Sequence, residues 1–352
     1  MTREQMLDRF EGCILGGAAG DALGYAIEFS GEGSIFSTYG PEGIQTLEQA
    51  SHYGIAHFSD DTQMTLFTAA GLAYGLEQGR TPASSDIWLA YLDWLGTQGD
   101  TSRLVDRSNP TTTLYNEASL HARRAPGNTC LSACTYSPHG GTPEDPVNDS
   151  CGCGGVMRVA PIGLLAAVRD DFDAIRLAAE AAALTHGHPL GWLPAAVMAE
   201  AVRIACLTDG EGISVAEALR HAIVAANDEV ATRFAEKRYA SELHQLVAQA
   251  VSLADSAAHT RKDDVANIHL LGEGWVGDQA LAIAVYAALA YPDDFAAALR
   301  CAVNHGGDSD STGAVCGNIL GALIGRKAIE AVFDLSALEE KSLLAKVADS
   351  LY

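Results

Sequence analysis

Positive charge is scarce in this chain: 22 Lys and Arg stand against 45 Asp and Glu in 352 residues, a formal net charge of −23. A protein so acidic repels nucleic acid and anionic lipid surfaces, because both are held by displacing counterions with Lys and Arg. Neither is expected as a partner. Aromatic residues make up only 7%, so the 48% apolar content rests on aliphatic residues and alanine, enough for a substantial core. Long uncharged apolar runs are missing. The N-terminal stretch is short, contains Asp21 and has acidic flanks, so it fits neither a signal peptide nor a membrane span. A reducing cytoplasm is the expected location.

Strand-like alternation is equally scarce. Alanine-rich segments with apolar residues at helical spacing dominate instead: Asp173–Leu184, Pro194–Leu207, Val215–Asn227, Ser241–Ala258, Asp278–Ala290 and Phe295–Val303. Pro194 is expected at a helix start, where its missing N–H costs nothing. The fold class predicted is all-α, a compact multi-helix bundle forming a single domain over residues 1–352. Residues 96–155 break the pattern with Gly, Pro, Ser, Thr and Asn, and read as an irregular lid or binding-loop region. A helix over Leu114–Arg124 is expected within it, and a last amphipathic helix over Ala337–Leu351.

Of the eight cysteines, Cys13, Cys206, Cys301 and Cys316 lie in apolar surroundings and read as buried thiols. Cys130, Cys134, Cys151 and Cys153 cluster in a polar stretch, but C-x3-C and C-x-C are poor zinc-ribbon spacings.

Three segments carry candidate chemistry. In His57–Thr65, Ser59, Asp60 and Asp61 open a helix, as an N-cap hydroxyl and dipole-matched carboxylates do in any protein. In His305–Gly313, Asp308 and Asp310 sit close together across a turn. Capping would explain these too. An EF-hand does not, because its twelfth position would be Ile319 instead of a bidentate Glu. The third segment, Gly16–Phe29, is glycine-rich, but it follows no strand and lacks the spacing of a nucleotide fingerprint. A close helix–helix contact is its plainer reading. If the first two segments met, four carboxylates could not all stay ionised, and divalent cations with hard oxygen ligands would neutralise them.

With these pieces together the chain resembles the ADP-ribosylglycohydrolase family, whose members include ADP-ribosylarginine hydrolases and the dinitrogenase reductase-activating glycohydrolase. The matching stretches are GCILGGAAGDALGYAIEF, FSDDTQMTL, GGVMRVAPIGLL, THGHP and GGDSDSTGAVCGNILGALIG, in family order over residues 12–325. The resemblance implies an all-α fold with a two-metal cleft. It assigns Ser59, Asp60, Asp61, Asp308, Asp310 and Ser311 to two Mg²⁺ ions, with Mn²⁺ as the substitute. It gives catalytic roles to Asp61, Glu28 and Asp310, with Asp61 or Glu28 delivering the proton that the leaving group needs.

Cys151, Gly152, Cys153, Gly154 and Gly155 match the segment that wraps the diphosphate and distal ribose, though relatives often have Asn where Cys153 stands. His186 matches a histidine near the ligand, and a structural core histidine is its alternative. The implied reaction removes ADP-ribose from a protein side chain, arginine first, through an oxocarbenium-like state. The ADP-ribosylated protein is the substrate and ADP-ribose the product. A role in immunity would add a cognate ADP-ribosylating toxin as partner. The alternatives are hydrolysis of a serine or small-molecule linkage, and a crystallin-like structural protein.

Overall fold

The computed structural model describes residues 1–104, 110–209, 212–255 and 259–352. Among them there is no sheet, only α-helices, three short 3₁₀ turns and isolated bridges. The helices run α1 Arg3–Tyr25, α2 Glu32–Tyr39, α3 Leu47–Ala50, α4 Asp60–Glu77, α5 Ser84–Thr97 and α6 Asn128–Tyr136. Then come α7 Ala160–Ala167, α8 Ala174–Ala183, α9 Pro189–Leu207, α10 Val215–Arg233, α11 Ala240–Ala254 and α12 Arg261–Leu271. The last are α13 Gly277–Ala290, α14 Phe295–Val303, α15 Ser309–Ile324, α16 Arg326–Val332 and α17 Lys341–Asp349.

Most expected helices are present with small shifts of end. Phe295–Val303 has the bounds predicted, and α10 runs on to Arg233. The helix expected over Ser241–Ala258 spans Ala240–Ala254, and residues 256–258 fall outside the described residues. Two expectations fail. Pro194 lies inside α9, because His188 caps the helix at Leu190 N and Pro189 takes its first turn. Leu114–Arg124 makes only the 3₁₀ turns Thr113–Asn116 and Ala118–Leu120. The regular helix of that region is α6, and residues 105–109 are not described.

The centre of the fold is an antiparallel pair, α1 against α15, and alanine and glycine are the reason. A Cβ on Gly321 would stand 2.0 Å from Gly12 O, one on Gly317 2.0 Å from Gly16 O, and one on Gly20 2.0 Å from Gly313 O. Backbones touch at each step, so no larger residue fits at these positions. The same run ends where Gly24 meets Ser309, whose hydroxyl donates to Gly24 O. The glycine-rich segment is therefore a helix contact, and it fixes which residues of α1 face the start of α15.

Helix α9 is long and apolar enough to cross a membrane by length and composition, yet most of its surface is buried within the protein. It packs against α7, α8, α10, α13 and α15 and reads as the core helix of the second half.

Candidate active site

Two helix N-termini and the end of α1 converge on one cleft. Ser59 caps α4, its hydroxyl accepting from Asp61 N–H at 3.1 Å. Asp308 caps α15, and Ser311 N–H donates to Asp310 Oδ1 at 2.9 Å. The capping roles expected from the sequence are therefore real. They also aim Asp60, Asp61, Asp308 and Asp310 into a common space, and Glu28 arrives there from just beyond the end of α1. The cleft encloses about 350 Å³.

The carboxylates are crowded and dry. One oxygen from each of Glu28, Asp308 and Asp310 lies within 4.8 Å of the other two. Burial, followed by the neighbouring Asp310, pushes the Glu28 carboxyl up to about 10. Burial also raises Asp60, Asp61 and Asp308 well above the carboxylate range, with Asp310 contributing to each. Two buried oxygens, Glu28 Oε2 and Asp61 Oδ2, have no hydrogen-bond partner. Buried polar atoms are rarely left so. Hard oxygen donors at this density, with orphaned lone pairs among them, fit a hard divalent cation.

The other predicted residues fall at different depths. Ser311, Gly152, Cys153, Gly154 and His186 line the cleft. The buried Cys153 thiol is raised by its burial and by Asp308 and Asp61 beside it. Ser59 is wholly buried and is not in the lining, and Cys151 lies outside it as well. Gly155 sits behind the wall, where a Cβ would stand 2.1 Å from Gly191 O. None of the four clustered cysteines is in a disulfide.

Four features escaped the sequence reading. Asp21 is wholly buried and accepts from Ser59 N–H at 2.9 Å. It also accepts from Thr62 N–H at 2.9 Å and the Thr62 hydroxyl at 2.6 Å. It therefore shapes the start of α4 from behind. Second, the chain at Arg124–Gly127 wraps the same helix start. Asp60 N–H donates to Arg124 O at 3.2 Å, and Gly127 N–H donates to Asp60 Oδ2 at 3.0 Å. Third, Phe29 and Trp275 stack at the cleft mouth, ring centroids 6.5 Å apart and planes at 19°. Phe29 is 75% exposed, an unusual position for a phenylalanine. Fourth, Gly127, Asn128 and Thr129 place the N-terminus of α6 in the wall. The signals were faint: Asp21 looked like one polar residue in a helix, and the wrapping chain has no periodicity.

Known proteins resemble this chain along nearly its whole length. The chain is 28% identical to the ADP-ribosyl-[dinitrogen reductase] glycohydrolase of Rhodospirillum rubrum over 331 residues, covering 92% of this chain and 88% of that protein. It is likewise 28% identical to the uncharacterized protein YegU of Escherichia coli (strain K12) over 332 residues, 92% of this chain and 90% of the other. Among solved structures, an ADP-ribosylglycohydrolase-related protein complex superposes with a TM-score of 0.65 at 26% identity, covering 99% of this chain and 98% of that one. The family model described as ADP-ribosylglycohydrolase matches residues 2–352. By that match across essentially its whole length, and with the acidic cleft in place, the chain belongs to the ADP-ribosylglycohydrolase family.

Proposed function

We propose that this glycohydrolase releases ADP-ribose from modified arginine side chains and that it works with two Mg²⁺ ions, Mn²⁺ substituting. The observation that carries the proposal is the meeting of Asp60, Asp61, Asp308 and Asp310 with Glu28 in one buried cleft. Ser59, Asp60, Asp61, Asp308, Asp310 and Ser311 are the residues we assign to the ions. Bound there, the ions would supply Lewis acidity and fix the ribose hydroxyls.

The chain's own residues do the rest. The carboxylates stabilise positive charge as it grows on the ribose ring. A guanidine leaves only when protonated, and Glu28 Oε2 and Asp61 Oδ2 are the two unpartnered oxygens from which a proton could pass. At the far wall, Gly152, Cys153 and Gly154 of the Cys151–Gly155 segment face the cleft beside His186, and the α6 N-terminus adds N–H donors suited to a diphosphate.

Arginine is favoured over other linkages by the cleft mouth. A guanidinium stacks on aromatic faces and pairs with carboxylates, and Phe29 with Trp275 stands beside an acidic cluster. The R. rubrum relative is named for a protein substrate, dinitrogen reductase, and we take an ADP-ribosylated protein as the substrate class here. We read residues 1–352 as one domain acting in the cytoplasm, in keeping with eight unpaired thiols. Reversal of a toxin's ADP-ribosylation is a role this chemistry would serve.

The test is incubation with proteins carrying ADP-ribose on arginine, serine or glutamate, including an arginine-modified toxin target, with and without EDTA. Free ADP-ribose should appear from the arginine substrates and vanish with EDTA. Release from serine alone would overturn the arginine assignment, and release undiminished by EDTA would overturn the metal.

A further inference from the structure

Arg158 is fully buried, yet among the described residues no carboxylate pairs with it. Its guanidinium lies over the Tyr91 ring at 4.5 Å and reaches Met64 Sδ and Cys130 Sγ. It donates from Nη2 to Ala181 O at 3.1 Å and to Thr185 Oγ1 at 2.7 Å. An unpaired buried cation is costly, so a purely structural role would be better served by an apolar side chain. The arrangement beyond Thr185 suggests what the charge does.

Thr185 Oγ1 is also 2.8 Å from Nδ1 of His186. The hydroxyl oxygen already accepts a hydrogen bond from a guanidinium, so the positive charge disfavours a second N–H pointed at the same oxygen. The Thr185 proton then goes to the ring nitrogen, a better acceptor than the nearby Cys130 sulfur. With Nδ1 as the acceptor, a neutral ring carries its proton on Nε2. That edge faces glycine: a Cβ on Gly152 would stand 3.3 Å from Nε2, and one on Gly154 would stand 3.1 Å from it. His186 lines the cleft, and among the described residues nothing bonds its Nε2. Burial first, then Arg158, lowers its pKa to about 3, so the ring is neutral.

We propose that Arg158 and Thr185 are positioning residues: they lock His186 in its Nε2–H form, so that a neutral donor faces an acceptor oxygen of the bound nucleotide sugar. This rests on the reading of the cleft as an ADP-ribose site. The relay explains why a charge is kept in the core, since only a donor on Thr185 forces the hydroxyl proton toward the ring.

The tautomer is read directly from the ¹⁵N resonances of histidine-labelled protein, the His186 signals being assigned by their loss in His186→Gln. Wild type should show the Nε2–H pattern. Thr185→Ser should keep it, together with ADP-ribose affinity within about twofold of wild type. Thr185→Val should mix the tautomers and weaken ADP-ribose about tenfold in calorimetry, with Mg²⁺ affinity unchanged, since one hydrogen bond to the ligand loses its donor. A merely structural Thr185 would not move the ring signals.

An Nδ1–H or protonated ring in wild type overturns the proposal, whether or not the valine variant folds. So does a folded Thr185→Val protein with wild-type spectra and affinity. Failure of wild type to bind ADP-ribose in the presence of Mg²⁺ would instead remove the cleft assignment on which the donor role rests, and the ring spectra of the free protein would still decide the relay.

Discussion

The carboxylate of Asp21 on α1 holds Thr62 on α4 by two hydrogen bonds to the same oxygen, from the backbone N–H at 2.9 Å and from the hydroxyl at 2.6 Å. Its other oxygen takes Ser59 N–H. Three of the donors at the start of α4 are thus satisfied by a side chain that never reaches the cleft. Asp21→Asn can offer only one acceptor oxygen, so a buried donor is left facing an amide N–H. The expected cost is about 1–3 kcal/mol in urea unfolding, with weaker Mg²⁺ binding because Asp60 and Asp61 are no longer fixed. A variant as stable as wild type would deny Asp21 this role.

The acidic cleft should give the metal-free protein a distinctive pH response. Burial, and then Asp310, pushes Asp21 up to about 7 and Glu28 up to about 10. Groups raised in this way hold protons in the folded state that the unfolded chain has released. Their stabilisation is complete below pH of about 4 and is lost as pH rises through about 7 toward 10. His186 and His305, lowered by burial to about 3 and about 4, act in the opposite sense, but only below their unfolded value of about 6.5. Between pH 7 and about 8, then, the carboxylates set the slope, and above that the buried thiols, raised by burial, add to it in the same direction. Unfolding free energy in EDTA should fall from pH 7 to about 8, and saturating Mg²⁺ should flatten that fall. At a hundred times its dissociation constant, one ion adds about 2.7 kcal/mol. Asp310→Asn should raise the metal-free melting temperature, abolish the response to Mg²⁺ and reduce ADP-ribose release at least about 100-fold. A crystallin-like structural protein would release no ADP-ribose.

The glycine contact between α1 and α15 makes a separate claim on stability. Gly317→Ala places a methyl where only 2.0 Å separates it from Gly16 O, with backbone on both sides. The helices must part, which costs about 1–3 kcal/mol. Chemical denaturation measures the cost directly. A neutral result would mean that the two helices slide past each other freely, and Glu28 would then have no fixed place beside Asp308.

Trp275→Ala tests the cleft mouth. Loss of the stack with Phe29 should raise KM for an ADP-ribosylarginine protein about three- to thirtyfold, the range of an exposed to partly desolvated cation–π contact. Mg²⁺ affinity should not change. An unaltered KM would take the guanidinium elsewhere and remove the structural support for arginine.

Several parts of this architecture are legible in the sequence. Ser59 and Asp308 sit at helix starts because a side-chain oxygen followed by carboxylates satisfies the free N–H groups there, a local rule that survives any tertiary context. The alanine-rich segments became helices for the same local reason. The failures have local causes too. Pro194 fits a helix start by sequence, but a second proline, Pro189, occupies that position. The segment Leu114–Arg124 has helical composition but lacks a face wide enough to bury, so it stops at two 3₁₀ turns.

By itself, then, the sequence determined an all-helical protein of the ADP-ribosylglycohydrolase family, with two acidic helix caps and a glycine-rich first helix. It left open whether those caps meet. That was decided by the backbone contact of α1 with α15, which joins Gly24 to Ser309 across 285 positions. It was decided too by the folding of Arg124–Gly127 onto Asp60. The same packing buried Asp21 and Arg158 and stacked Phe29 on Trp275. Periodicity records which face of a helix is apolar, but the place where charges are forced together depends on which surfaces are small enough to touch.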